Sequence, residues 1–189
     1  MKNTLAAIEH FAEVAHQGQQ RRYTPEPYII HPIRVMKLCA AHTNETCIQY
    51  AALLHDVLED TTVTSEQLEL FLHSVLLPAE AVRTFGLVVE LTDIYTKAHY
   101  PGWNRQKRRD KESHRLGSTS AAAQTIKYAD IIDNCKEISK HDPDFGPKFL
   151  SECNQLLDKM QTGNQELYYH ARKVVMEELR MISSQKSLL

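Results

Sequence analysis

The sequence predicts an all-α fold, a single helical bundle of about eight to ten helices if each helix has an ordinary length. Two observations support this prediction. Apolar residues recur at the three- and four-residue spacing of an amphipathic helix, and no run of alternating β-branched residues competes with them. Prolines, glycines and capping residues stand where such helices would begin and end.

The first half of the chain contains the boundary signals of five helices. A glycine ends the first helix, and a loop with two prolines follows it. The later helices begin near a proline or a capping residue. The signals are, in order, Gly18, the 19–27 loop, Pro32, Glu45, Thr64 with its capping-box partner Gln67, and Pro78.

The second half opens with a turn at residues 100–103 and a dense basic run at residues 104–109. Residues 118–120 can cap a long helix, which residues 142–144 would break, and Gly163 separates two closing helices. No internal repeat or long linker divides the sequence, so we expect one domain.

The composition of the 189-residue chain restricts its class. A net charge of −2 argues against binding of a nucleic acid backbone, and no run reaches the roughly 18 apolar residues of a membrane span. The N-terminus leads into an amphipathic helix instead of a signal region. Because the cysteines form no CxxC pair, they are expected to be buried thiols of a cytoplasmic protein: Cys39, Cys47, Cys135 and Cys153.

The segment Tyr50–Thr61 combines an apolar helical pattern with a block of charge. At about 100° per residue, the charged side chains fall within an arc of roughly 140°. Buried carboxylates require a partner, so this face is expected to meet a cation; the alternative is an acidic stripe exposed to solvent. The charged residues are His55, Asp56, Glu59 and Asp60.

Two further segments complete a set of metal-ligating residue types. His31 precedes a predicted helix start, and Asp130 shares a helix face with Asn134, one turn away. With His55 and Asp56 they form a mixed nitrogen and oxygen set that suits six-coordinate manganese or ferrous iron better than structural zinc. Taken singly, His31 is also compatible with a loop histidine, and Asp130 with a cap or an ion pair to Lys127.

These segments resemble the HD-domain phosphohydrolases. The strings PYIIHP, AALLHDVLEDT and IKYADIIDN are similar to the hydrolase domain of RelA/SpoT alarmone enzymes, and AHQGQ is similar to its opening. The resemblance is clear over residues 5–67 and returns at 124–138. It implies a single HD-type domain over residues 1–189, a stand-alone small alarmone hydrolase similar to the metazoan SpoT homologues.

The resemblance also implies a role for each matched residue. One manganese ion, in preference to Fe²⁺ or Mg²⁺, would be held by His31, His55, Asp56 and Asp130. Glu59 and Asp60 match the catalytic pair, which would orient water and manage protons, with their acid and base roles left undivided. The implied substrate contacts are Arg22, which would stack on the nucleobase, its neighbour Tyr23, where the family often has lysine, and Asn134 near the ribose.

The implied reaction is hydrolysis of the 3′-pyrophosphate of (p)ppGpp, which gives GDP or GTP and pyrophosphate. The departures from the family at Tyr23, Tyr128 and Asp133 leave the adenine analogue (p)ppApp as a competing substrate. Arg105 and Arg109 are candidates to bind the substrate's phosphates. The alternative is a solvated helix face balanced by Asp110 and Glu112.

Two rival functions remain open from the sequence: a phosphomonoesterase of a nucleotide such as NADPH, and a metal- or nucleotide-binding module without turnover. In each case the partner is a small nucleotide instead of a nucleic acid or a membrane, and the oligomeric state is left open. The histidines outside the three segments are expected at the surface or half-buried: His10, His16, His42, His73, His99, His114, His141 and His170.

Overall fold

The computed structural model describes residues 2–186, and over this range the chain forms ten α-helices and no β-strand. The predicted all-α class is therefore confirmed. The chain divides into two compact units, Met1–Thr92 and Asp93–Leu189. A single HD-type domain over the whole chain stays a prediction. Within the described range, no helix has both the length and the apolar composition needed to cross a bilayer.

The first unit contains six helices with α3 at its centre. Their bounds are α1 Lys2–Ala15, α2 Ile30–Ala40, α3 Thr46–Leu54, α4 Val57–Asp60, α5 Ser65–Val75 and α6 Pro78–Leu91. α3 contacts α1, α2 and α6, and α5 contacts α6. Leu53 and Leu54 of α3 are fully buried, which explains why the apolar pattern of this helix covers nearly its whole circumference.

Local sequence signals account for several helix boundaries in this unit. Thr64 and Gln67 form the predicted capping box at the start of α5, and Pro78 occupies the first turn of α6. Gly18 follows α1 with a φ of +79°, a conformation that glycine adopts without strain. The positions of these boundaries were therefore readable from the residues alone.

The loop between α1 and α2 is closed on itself by backbone hydrogen bonds. The N–H of Tyr28 donates to the carbonyl of Gln19 (3.0 Å), and the N–H of Arg21 donates to the carbonyl of Glu26 (2.9 Å). An isolated antiparallel bridge joins residues 20 and 27 between these bonds. The ends of the loop are thus fixed, and residues 22–25 form its tip.

The second unit contains the remaining four helices, α7 Arg105–Leu116, α8 Ala121–His141, α9 Gly146–Lys159 and α10 Gln165–Lys186. α8 and α9 both contact α10, and α7 contacts α9. Tyr128 of α8 is fully buried, and its hydroxyl donates to the carbonyl of Met160 (2.8 Å). Gly163 passes so close that a Cβ there would lie 2.6 Å from the Tyr128 ring, so this tyrosine is part of the core of the unit.

Candidate metal centre

His55 and Asp56 lie at a break between two helices. α3 ends immediately before His55, and α4 begins immediately after Asp56. Asp56 has backbone angles of φ −99° and ψ −5°, and its carbonyl accepts from the N–H of Glu59 (3.2 Å), at the three-residue spacing of a tight turn, as well as from the N–H of Asp60 (2.8 Å). The prediction of one continuous helix through this segment is wrong here, because the backbone tightens into a turn after Asp56.

Three ligating side chains converge at this break. His31 lies in the first turn of α2, and its Nε2 is 3.6 Å from Oδ2 of Asp56. Nε2 of His55 is 3.1 Å from the same oxygen. One ligating atom from each of the three residues lies within 4.8 Å of the others. The structure therefore brings together three of the four metal ligands that the resemblance implies.

The hydrogen bond of His55 assigns its tautomer. Nδ1 lies 2.8 Å from the carbonyl oxygen of Ala52. A carbonyl only accepts, so Nδ1 carries the hydrogen of this bond, and Nε2 is the ring nitrogen that faces Asp56. A metal-ligating histidine commonly has its second ring nitrogen fixed by such a bond.

The donor set fits a divalent metal ion. The imidazoles are almost completely buried, with His31 1% and His55 3% exposed, whereas the carboxylate side chain of Asp56 is 18% exposed. Two imidazoles and one carboxylate can supply both nitrogen and oxygen ligands and leave coordination positions for further groups. The first unit thus contains a candidate site for a divalent ion.

Tyr28 links this site to Asp60. Its hydroxyl lies 2.6 Å from Oδ2 of Asp56 and 3.0 Å from Oδ2 of Asp60, so it can donate to either carboxylate. Burial and the neighbouring Asp56 carboxylate raise the pKa of the Tyr28 hydroxyl, which keeps its proton available for donation. Partial burial and the charge of Asp56 raise the pKa of Asp60, while the Tyr28 hydrogen bond lowers it. Two acidic groups are therefore held close together.

The other predicted residues of the first unit lie nearer the surface. Glu59 is exposed on α4, beside Asp60. Arg22 is exposed at the tip of the loop between α1 and α2, with its guanidinium carbon 5.2 Å from the centre of the Tyr23 ring. The guanidinium predicted to stack on a nucleobase thus lies over the aromatic ring of its own neighbour.

In the second unit, Asp130 and Asn134 lie one turn apart on α8. Nδ2 of Asn134 donates to Oδ1 of Asp130 (2.5 Å), and Nζ of Lys127 is 2.7 Å from Oδ2. Asp130 is only 5% exposed. The ion pair with Lys127, considered as an alternative from the sequence, is therefore present, and the role of Asp130 as a metal ligand stays a prediction.

The arginines predicted to bind phosphate lie against carboxylates. Arg105 makes two hydrogen bonds to Glu152, at 2.9 Å and 2.6 Å, and its guanidinium carbon is 5.0 Å from the centre of the Phe145 ring. Nη1 of Arg109 is 3.3 Å from Oδ2 of Asp93. Both arginines are therefore paired with carboxylates other than those expected from the sequence, and phosphate binding by either arginine stays a prediction.

Three residues beside the cluster, Tyr28, Gln19 and His16, had no predicted role in the site. Tyr28 lies three positions before His31 in PYIIHP, and Gln19 lies three positions after His16 in AHQGQ. The expectation that His16 is at the surface or half-buried is wrong, because it is 3% exposed and stacks on the Tyr28 ring. Their presence in the two recognised strings was the signal that could have identified them.

Comparisons with known proteins identify the family of the chain. The family model described as HD domain matches residues 28–135. The guanosine-3′,5′-bis(diphosphate) 3′-pyrophosphohydrolase MESH1 of Xenopus tropicalis is 32% identical over 139 residues, which cover 71% of this chain and 69% of the relative. The protein of the same name from Mus musculus is 29% identical over 183 residues and covers 92% of this chain and 93% of the relative.

A solved structure has the same overall fold. It is described as a metazoan ortholog of SpoT that hydrolyzes ppGpp, and it superposes with a TM-score of 0.74 at 24% sequence identity. The match covers 98% of this chain and 97% of the other. At this level of identity, the likeness bears on the fold alone.

Proposed function

The chain belongs to the HD-domain family, and from this premise we propose that it is a metal-dependent hydrolase of alarmone nucleotides. Its substrate would be (p)ppGpp, and its products GDP or GTP and pyrophosphate. The observation that carries the proposal is the convergence of His31, His55 and Asp56, with Asp60 joined to them through Tyr28. The relatives named as 3′-pyrophosphohydrolases supply the substrate class.

We propose manganese as the ion, held by His31, His55 and Asp56, with Asp130 as the fourth ligand that the resemblance implies. Mixed imidazole and carboxylate ligands with open positions suit this ion. When bound, a divalent ion supplies Lewis acidity: it lowers the pKa of water and offsets negative charge on a phosphate.

Glu59 and Asp60 are the proposed proton-transfer groups. In the overall reaction, water adds to the phosphorus bonded to the 3′-oxygen, and that phosphorus–oxygen bond breaks. One hydrogen of the water ends on the 3′-oxygen, and its hydroxyl group stays with the pyrophosphate. Partial burial and the charge of Asp56 raise the pKa of Asp60, and shifted carboxyl groups of this kind are common among proton-transfer residues.

The proposed substrate contacts are those that the family resemblance implies. Arg22 and Tyr23, at the loop tip, would contact the nucleobase, and Asn134 would lie near the ribose. Arg105 and Arg109 stay candidates for the phosphates, although their pairs with Glu152 and Asp93 favour a structural role. Guanine and adenine alarmones both remain substrates to be compared.

A cytoplasmic location is also proposed. The four cysteines are free and buried, as expected for thiols of a reducing compartment.

Product analysis tests the proposed function. The purified protein is incubated with ppGpp and with ppApp, with and without Mn²⁺, and pyrophosphate is scored separately from phosphate. We expect pyrophosphate release that depends on the metal, is lost in His55→Ala and is retained in His73→Ala, a control on the exposed side of α5. Phosphate as the sole product, or no turnover of either nucleotide, would overturn the proposal.

A further inference from the structure

The hydroxyl of Tyr28 is shared between two carboxylates that belong to different parts of the site. It lies 2.6 Å from Asp56, a proposed metal ligand, and 3.0 Å from Asp60, a proposed proton-transfer group. The repulsion between two neighbouring carboxylates favours their separation. A hydroxyl hydrogen between them offsets this repulsion, so Tyr28 links the orientation of one carboxylate to that of the other.

The ring of Tyr28 is itself held in place by two histidines. The ring of His16 stacks on it, with centroids 4.6 Å apart and an interplanar angle of 28°. The ring of His31 meets it edge-on, with centroids 5.9 Å apart. Both histidines are at least nine-tenths buried, so the hydroxyl is presented from a rigid support.

A second contact holds the backbone of Asp60. Nε2 of Gln19 donates to the carbonyl oxygen of Asp60 (2.7 Å), and Oε1 of Gln19 lies 2.8 Å from Nδ1 of His16. Since the amide oxygen accepts, Nδ1 of His16 carries the hydrogen of this bond. Asp60 is thus fixed at its side chain by Tyr28 and at its backbone by Gln19, and His16 contacts both of these residues.

We propose that Tyr28 is a positioning residue that fixes the Asp60 carboxylate relative to the metal ligand Asp56, and that Gln19 and His16 hold this arrangement. The part concerning turnover rests on the proposed function. The part concerning the metal ligand does not, because it predicts an effect on ion binding in the absence of any nucleotide. Partners of metal ligands of this kind commonly contribute about 10- to 100-fold to metal affinity or activity.

The principal test is Tyr28→Phe, which removes the hydroxyl and keeps the ring stacked on His16. We expect the Kd for Mn²⁺, measured by calorimetry without substrate, to rise about 10-fold. At saturating Mn²⁺, kcat should fall about 10- to 100-fold while KM stays near the wild-type value. Tyr50→Phe is the matched control, because Tyr50 is a buried tyrosine of the same unit on α3, and both constants should stay unchanged.

A second variant separates the two carboxylates. Gln19→Met keeps the side-chain length but removes both hydrogen bonds of the amide, the one to the Asp60 carbonyl and the one from His16. We expect kcat to fall while the Kd for Mn²⁺ is unchanged. This variant also keeps the proposal testable if Tyr28→Phe loses its folded circular dichroism signal.

An unchanged Kd for Mn²⁺ in folded Tyr28→Phe would overturn the positioning of Asp56, whatever the substrate of the protein is. A raised KM with unchanged kcat would overturn the positioning of Asp60 and make Tyr28 a substrate contact instead. Failure of the wild type to release pyrophosphate from either alarmone would reject the proposed function alone, since the calorimetric result does not depend on it.

Discussion

The charged cluster around Asp56 and the basic helix α7 use charge in opposite ways. In the cluster, Asp56 and Asp60 lie against the same tyrosine hydroxyl, and the charge of one raises the pKa of the other. On α7, Arg105 lies against Glu152, and Arg109 lies against Asp93. The first region holds like charges together, whereas the second pairs opposite charges.

This difference separates an arrangement suited to chemistry from one suited to folding. Like charges held in proximity cost stability, so the fold must maintain them through other contacts, and such groups have shifted protonation. Pairs of opposite charge at a partly exposed surface contribute little and persist without a ligand. Both regions are dense in charged residues, so charge density in the sequence does not distinguish a candidate site from a set of surface ion pairs.

The largest expected effect comes from Asp130→Ala. If this buried carboxylate is a ligand, bound Mn²⁺ measured by elemental analysis and pyrophosphate release should fall together to background. Asp144→Ala, an exposed aspartate beyond the end of α8, is the control and should retain both. An active Asp130→Ala protein with full metal content would show that Asp130 is not a metal ligand.

A smaller loss is expected for Glu59→Gln. This change keeps the size of the side chain and removes its charge and its ability to accept a proton. We expect kcat to fall about 10²- to 10⁴-fold with unchanged metal content, the usual scale of a general acid–base contribution. A rate equal to that of the wild type would remove Glu59 from the mechanism.

The pair of Arg105 and Glu152 tests the other side of the comparison. A double-mutant cycle with Arg105→Gln and Glu152→Gln should give a coupling energy of no more than about 1 kcal/mol in chemical denaturation, because the arginine is partly exposed. The KM for the alarmone is measured on the same variants. A KM raised by Arg105→Gln and not by Glu152→Gln would assign Arg105 to the phosphates.

The smallest effect concerns the stability of the metal-free protein. The pKa of Asp60 is higher in the folded state than in the unfolded state, so the folded protein keeps this proton to a higher pH. The free energy of unfolding therefore falls as pH rises through the folded-state pKa. Asp60→Asn should therefore be slightly more stable than the wild type at neutral pH, and the difference should vanish at low pH. Thermal unfolding at a series of pH values measures this difference in stability. Glu69→Gln, at an exposed position of α5, is the control.

The features that were predicted from the sequence depend on residues only a few positions apart in the chain. Thr64 and Gln67 are three residues apart and cap the same turn, and Pro78 acts on its own helix. The proposed ligands His31, His55 and Asp56, which the structure brings together, were recognised by residue type and by the strings around them. Each of these signals is contained within a few positions of the chain.

What it missed depends on contacts between distant positions. The apolar pattern continues in helical phase across His55 and Asp56, and no glycine or proline marks the break. The contact of Gln19 with Asp60 spans 41 positions, and that of Arg105 with Glu152 spans 47. Helical periodicity reports the buried face of one segment, so it carries no information about such pairs.

The closed loop between α1 and α2 has a consequence for evolution. Its ends are held by the backbone hydrogen bond between Tyr28 and Gln19, residues that also contact Asp60, whereas Arg22 and Tyr23 lie at its tip. Substitutions at the tip can accumulate without moving the residues at the base. Substitutions of Arg22 and Tyr23 are therefore expected to change the proposed nucleobase contacts without displacing Tyr28 or Gln19.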